Sequence, residues 1–317
     1  MKFFICIAVA AAWAGGPVGF WNLENFFDYF DSATSASDTE FSSRGERHWT
    51  KKKFYDKALQ VGKGILYCGS CSGDGGGGIP SVFGVAEVEN AFVLRKICES
   101  DVLRKYNYSY VHFDSPDPRG IDVGLLYCRD SVELVQARPI GVGKTRDILY
   151  ATLRYKGRDC HFFVNHHPSK YSGTKATVAR RQKAMTVLMN VVDSLVACGQ
   201  TDIIAMGDFN DTPYGEAFEI AEKSLVNLGA EYLEALPPLQ RANTGTIRYQ
   251  GKWELIDNFL VYGEGRYEMK AVRIPFLMQT DKSHPGEKPR RTFIGPRYNA
   301  GVSDHLPIVL LPAKSDF

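Results

Sequence analysis

Several short apolar runs in this chain stop on an acid, an amide or a histidine, and that punctuation restricts the fold more than anything else in it. Val18–Trp21 ends at Asn22, Ser81–Val85 with Ala86 ends at Glu87, and Ile203–Met206 leads through Gly207 to Asp208. Ser303-Asp304-His305 stands directly before the apolar stretch that includes Ile308–Leu311. Further runs at Ile121–Tyr127, His161–Val164 and Phe259–Tyr262 have the length and content of strands. A strand delivers its last side chains to the rim of a sheet, so polar groups placed this way gather along an edge. Lys51–Leu66 and Thr177–Ala197 carry apolar residues at helical spacing and predict amphipathic helices. Strands outnumber helices, and Ile121–Tyr127 followed by Ser131–Val135 reads as a hairpin. The expected class is a layered α+β or α/β domain with largely antiparallel pairing. With no Pro/Ser linker to divide it, the chain reads as one domain over 15–317.

The first residues belong to something else. Lys2, the apolar run Phe3–Ala14 and the small-x-small ending Ala12-Trp13-Ala14 match a secretory signal peptide cleaved near Ala14. A spanning helix needs about 20 apolar residues, more than this run holds. A secreted or periplasmic protein is therefore expected. Of seven cysteines, six lie beyond Cys6, an even number that permits disulfides in an oxidising compartment without fixing their pairing. Cys68 and Cys71 form a lone C-x-x-C, read as a local disulfide or two free thiols, since structural zinc would want a second pair. The formal charge is +2, from 38 basic and 36 acidic residues, so no strong global field steers a polyanion.

Two phosphate-loop lookalikes fall away. Gly141-Val142-Gly143-Lys144-Thr145 resembles the end of a P-loop, but the first glycine of that motif would fall on Arg138. Gly73–Gly78 lacks the required Lys and Ser/Thr and reads as a loop. The acids and amides at the strand ends are better suited to a hard divalent cation, which takes oxygen ligands. Hydrolysis of a phosphoester also needs an activated water held in line, donors for the phosphoryl oxygens and help for the leaving oxygen. Asp, Asn, Glu and His can supply these, although each short motif alone is as compatible with a turn, a cap or a solvated loop.

Taken in order, WNLEN, GVAEVEN, RGIDVGLLY, VNHHPS, GDFND, WELIDNFLVY and SDHLPI resemble the endonuclease/exonuclease/phosphatase superfamily, from about Gly19 to Leu311. The resemblance implies a four-layer α/β/β/α sandwich, two packed mostly antiparallel sheets flanked by helices, with a cleft at one end. It implies Asn22 and Glu87 around a metal, with Asp304 near it or supporting His305, and magnesium in the first place with manganese or calcium as alternatives. Asp208 would deprotonate the attacking water, and Asn210 would hold that water and the phosphate. His166, rather than His167, would contact the phosphoryl oxygens or assist the leaving group, with Arg119 as a further phosphate contact. His305 would stabilise the transition state, oriented by Asp257, and Asp122 would be structural. Ala86 stands where many relatives carry Gln, which implies altered surroundings for Glu87 rather than lost activity.

The substrate is open among nucleic acid (DNA or RNA), a lipid or small phosphoester, and, in another class, a non-catalytic binding protein. Lys51–Lys53, Arg180-Arg181, Lys288 and Arg290-Arg291 could meet backbone phosphates, with Trp49, Phe54, Tyr55 and Phe293 interleaved. Arg47, His48 and Trp49 are expected to line the cleft.

Overall fold

The computed structural model describes residues 13, 16–71, 78–169, 174–262 and 267–313. The expected leader, apart from Trp13, and the glycine run up to Gly77 lie outside the described residues. In chain order the principal elements are β1 (Val18–Phe26), α1 (Lys51–Ser70), β2 (Val82–Val88), α2 (Ala91–Cys98), β3 (Tyr108–His112), β4 (Asp122–Cys128), β5 (Glu133–Ile140), β6 (Ile148–Tyr155), β7 (Arg158–His166), α3 (Thr174–Ala197), β8 (Ile203–Asp208), β9 (Val226–Asn227), α4 (Leu228–Glu234), β10 (Asp257–Val261), β11 (Tyr267–Ala271) and β12 (Ile308–Pro312).

Two six-stranded sheets follow, in the orders β11-β12-β1-β2-β4-β3 and β5-β6-β7-β8-β10-β9. Pairing is antiparallel except for β1 with β2 and β7 with β8. The period-2 alternation of strand side chains sorts each apolar run into two layers. Phe20, Phe162, Val164, Ile204 and Met206 meet between the sheets. Trp21, Phe83 and Val85 face outward to pack under α1 and α2. Phe163, Ile203 and Ala205 pack under Met185, Leu188 and Val192 of α3. This is the expected four-layer α+β sandwich.

The expected hairpin does not form. β4 pairs with β2 and β3, whereas β5 pairs with β6 in the other sheet. β4 is buried throughout, while β5 is mostly exposed at its sheet's edge, so the turn between them carries the chain from one sheet to the other. The six described cysteines are all free thiols, Cys68 and Cys71 included. No described helix is long and apolar enough to cross a membrane.

At one end of the sandwich the strands break register. The β1–β2 pairing shifts between Asn22 and Phe26, and the β2–β4 pairing shifts between Ala86 and Val88. The residues inside these bulges, Glu24 (φ 47), Asn25 (φ 48) and Glu87 (φ 58), are left-handed without being glycine. Asn210, just past β8, has φ 51. Strain of this kind costs on the order of 1–3 kcal/mol per residue and collects where function re-aims a side chain.

Candidate active site

The strand ends converge on Asp208. Its last-residue position on β8 places it opposite both Asp257 at the start of β10 and His166 at the end of β7. Gly207 is required for this approach, because a Cβ there would come within 2.3 Å of the Asn165 carbonyl oxygen. Asp208 Oδ2 accepts from Asn22 Nδ2 at 3.0 Å and lies 3.6 Å from His166 Nε2 and 3.8 Å from His305 Nε2. Its Oδ1 accepts from the Asn210 backbone N–H at 2.9 Å. Burial pushes its pKa up to about 7, with Asp257 adding to the rise and the His305 charge, Asn210 and Asn22 opposing it.

His305 is held in the opposite sense. Its Nδ1 meets Asp257 Oδ2 at 2.8 Å, which fixes the ring and leaves Nε2 toward Asp208. Burial alone would push its pKa down, but the carboxylates of Asp257, Asp208 and Asp304 prevail and hold it well above the ordinary value. The backbone beside it is tied as well: Ser303 Oγ donates to the Asn22 carbonyl at 2.6 Å, and Trp21 Nε1 donates to the His305 carbonyl at 2.9 Å. His166 is the contrasting imidazole. Burial first, then Arg146 and Arg119, keep its pKa well below the usual value, and its Nε2 points between Glu87 (3.7 Å) and Asp208. His167 turns away and packs edge-on against Phe209.

Glu87 heads a second cluster. Its carboxylate accepts from the Asn25 N–H at 2.9 Å and faces Asn22 Nδ2 at 3.4 Å and Arg119 at 3.5 Å. Asn22 keeps its Oδ1 for the Glu24 N–H at 2.9 Å, so it clamps the two carboxylates rather than offering an oxygen outward. Sequence reasoning passed over Glu24, Lys57 and, as a site residue, Arg291. Arg291 bridges Glu24 Oε1 (2.7 Å) and Asp304 Oδ2 (3.1 Å), while the buried Lys57 ammonium donates to the Glu24 carbonyl at 2.8 Å and to Thr292 Oγ1 at 2.9 Å. Glu24 sits inside WNLEN, but nothing in spacing pointed to a partner 267 residues away.

This cluster fits a hard cation. Glu24, Glu87 and Asp304 all act on the same two protein cations, Lys57 and Arg291. Burial and then the Asp304 charge push the Glu24 carboxyl up to about 7. Of these carboxylates, the Glu87 and Asp304 side chains are 14% and 24% exposed, which leaves them as the oxygen donors a hard cation could reach. Asp208, Asp257 and His305 bring their ligand atoms within 4.8 Å of one another, but a ring held protonated against Asp257 is an acid, not a ligand. At His112, Asp114 and Asp122, the Asp122 carboxylate is already occupied by Ser115 and His112, a structural role.

Several residues expected at the cleft or against a nucleic acid strand are engaged elsewhere. Trp49 and Phe54 are buried in the core under α1, where apolar area outweighs any use for stacking, and Phe293, though mostly buried, lines the cavity beside Glu24 and Arg291. Arg181 is paired with Asp211 and Lys288 with Asp281. Arg47 reaches Glu40 and flanks Glu24 and Arg291, at the border of the cleft.

A fold of this topology with this rim defines a class. The sequence profile of the endonuclease/exonuclease/phosphatase family matches residues 17–314. The chain belongs to that family and is a metal-dependent phosphoester hydrolase. Comparison of the sequence with curated proteins finds no match. Among solved structures it is similar to a mannosyl-6-phosphatase of Bacteroides thetaiotaomicron VPI-5482, with TM-score 0.59, 14% identity, 94% of this chain and 100% of that one covered. It is also similar to the human Nocturnin catalytic domain with a bound sulfate anion (TM-score 0.55, 16% identity, 93% of each chain). D. rerio TDP2 complexed with a single-strand DNA product gives TM-score 0.52 at 15% identity, over 93% of this chain and 97% of that one.

Proposed function

We propose that the protein is a phosphodiesterase of nuclease type, hydrolysing a phosphodiester of a nucleic acid strand by in-line attack of water. The observation that carries the reading is Asp208, a buried carboxyl with an elevated pKa, set between a neutral imidazole and a protonated one. Near neutral pH such a carboxylate is a competent base for the attacking water, and the Asn210 backbone fixes its Oδ1. His166, neutral, offers one N–H to a phosphoryl oxygen. His305, cationic and braced by Asp257, meets the charge that develops on the phosphoryl group. Arg119 adds a guanidinium at the mouth, anchored to Asn25 at 2.6 Å. Glu87, with Asp304, would hold the divalent cation, magnesium by preference, and Asn22 would keep both Glu87 and Asp208 in place. When bound, that cation supplies a Lewis acid for the phosphoryl oxygens. The leader pattern supports a secreted or periplasmic location.

The test is hydrolysis of plasmid DNA and bis(p-nitrophenyl) phosphate with magnesium, with and without chelator, by wild type and Asp208→Asn. Cleavage of both substrates that chelator stops and Asp208→Asn lowers at least about 100-fold supports the reading. Undiminished cleavage by a folded Asp208→Asn protein refutes it.

A further inference from the structure

One cavity beside the site carries more positive charge than the catalytic steps use. It is about 520 Å³ and is lined by Arg119, Lys144, Arg146, Arg180 and Lys183, with Asp117 its one carboxylate. Five cations face one acid in a protein whose whole formal charge is +2. Asp117 is already engaged by the Arg146 guanidinium at 2.9 Å and by the Arg119 N–H at 2.9 Å. Arg146 is 8% exposed, and its Nε has no hydrogen-bond partner among the described residues. Lys144 and Lys183 are exposed and have no ion-pair partner among the described residues. The cavity on the other flank differs, because its Arg248 and Lys288 are both spent on Asp281.

The charged cavity adjoins the catalytic centre. Arg119 belongs to both, and Arg146 donates at 2.8 Å to the His167 carbonyl that also accepts from Asn210 Nδ2 at 3.0 Å. The loop joining β5 to β6 is the run Gly141–Thr145 that mimics a P-loop, and it supplies Lys144 and Thr145 to this wall. Gly143, at φ +130, brings the loop so close to α3 that a Cβ there would lie 3.3 Å from Lys183 Nζ. The loop and the helix thus present their ammonium groups together.

We infer that this cavity seats a second phosphate of the substrate, one that is bound but not hydrolysed. Guanidinium forks beside exposed ammonium groups suit a phosphate with several acceptor oxygens. The inference rests on the phosphoester hydrolysis proposed above and narrows its substrate to esters that carry another phosphate next to the scissile one. That phosphate is either the next one along a nucleic acid strand or the terminal phosphate of a small bisphosphorylated ester.

The experiment compares wild type with Lys144→Ala/Lys183→Ala on two substrate pairs. One is thymidine 5′-(p-nitrophenyl phosphate) with and without a 3′-phosphate; the other is a dinucleotide ester whose second phosphate is internal, against its single-phosphate counterpart. In wild type the second phosphate raises kcat/KM about tenfold, the ratio one charge-assisted contact supplies, and the variant loses that gain. A gain with the internal phosphate alone identifies a strand, and one with the terminal phosphate alone identifies a small bisphosphate. No gain in wild type, or a gain the variant keeps, overturns the inference. Calorimetric binding of thymidine 3′,5′-bisphosphate in chelator reads the cavity without catalysis. If wild type hydrolyses nothing yet binds this ligand about tenfold more tightly than the variant, the phosphate seat stands and the hydrolytic reading falls. Equal binding by the two proteins removes the seat.

Discussion

His167→Phe should make the protein markedly less sensitive to acid. The ring is 1% exposed, neither of its nitrogens has a partner among the described residues, and it lies edge-on to Phe209 with centroids 4.9 Å apart. Burial, then the charges of Arg146 and Arg181, push its pKa from 6.5 down to about 3. Between those values the unfolded chain holds more protons than the folded one, so stability falls as pH drops below 6.5 and goes on falling to about 3. At pH 5 the loss is about 1.5 pH units at 1.36 kcal/mol each, or about 2 kcal/mol, whatever the folded value is below 5. The measurement is urea unfolding of wild type and His167→Phe at pH 7.5 and pH 5.0 in chelator. Any packing penalty of the phenyl ring is present at both pH values and cancels, as do the other titrating groups. Wild type should lose about 2 kcal/mol more than the variant between the two conditions. Equal losses would refute the assignment of a neutral buried imidazole.

Two further outcomes follow from the same geometry. Asp257→Asn removes the carboxylate that most strongly favours the His305 charge, so kcat should fall and the alkaline limb of the pH–rate profile should move to lower pH; an unmoved limb would detach His305 from that limb. Asp117→Ala leaves the Arg146 guanidinium buried without its carboxylate and should cost about 3 kcal/mol in chemical denaturation, most of it recovered by adding Arg146→Met.

Much of the rim was legible in the sequence because a polar residue at the end of an apolar run can only leave the sheet there. Asn22, Glu87, Asp208 and His305 announce themselves in this way, and the structure brings them together. The failures have physical causes. Trp49 and Phe54 look like aromatics set beside basic residues for stacking, but apolar area decides their fate and they enter the core under α1. α1 runs on to Ser70, past the expected Leu66, although glycines thin its apolar stripe near the end. The misread hairpin shows that a short turn looks the same whether it joins partners or passes between sheets. Arg291 and Lys57 were invisible as site residues because their meaning comes from Glu24 and Asp304, which only folding places beside them.

The paired register shifts in β1 and β2 make this rim more sensitive to length than to composition. The bulge in β1 adds two residues and the bulge in β2 adds one, each in a strand whose side chains alternate between two layers. Deleting any one residue from 23–25 would turn either the residues before it or Phe26 and those after it to the wrong layer, so that a phenyl group and a carboxylate trade places. Substitution there changes one contact, whereas deletion rewrites all of them. In a library that samples both kinds of change, a deletion at any of these few positions should cost more than a substitution at the same one.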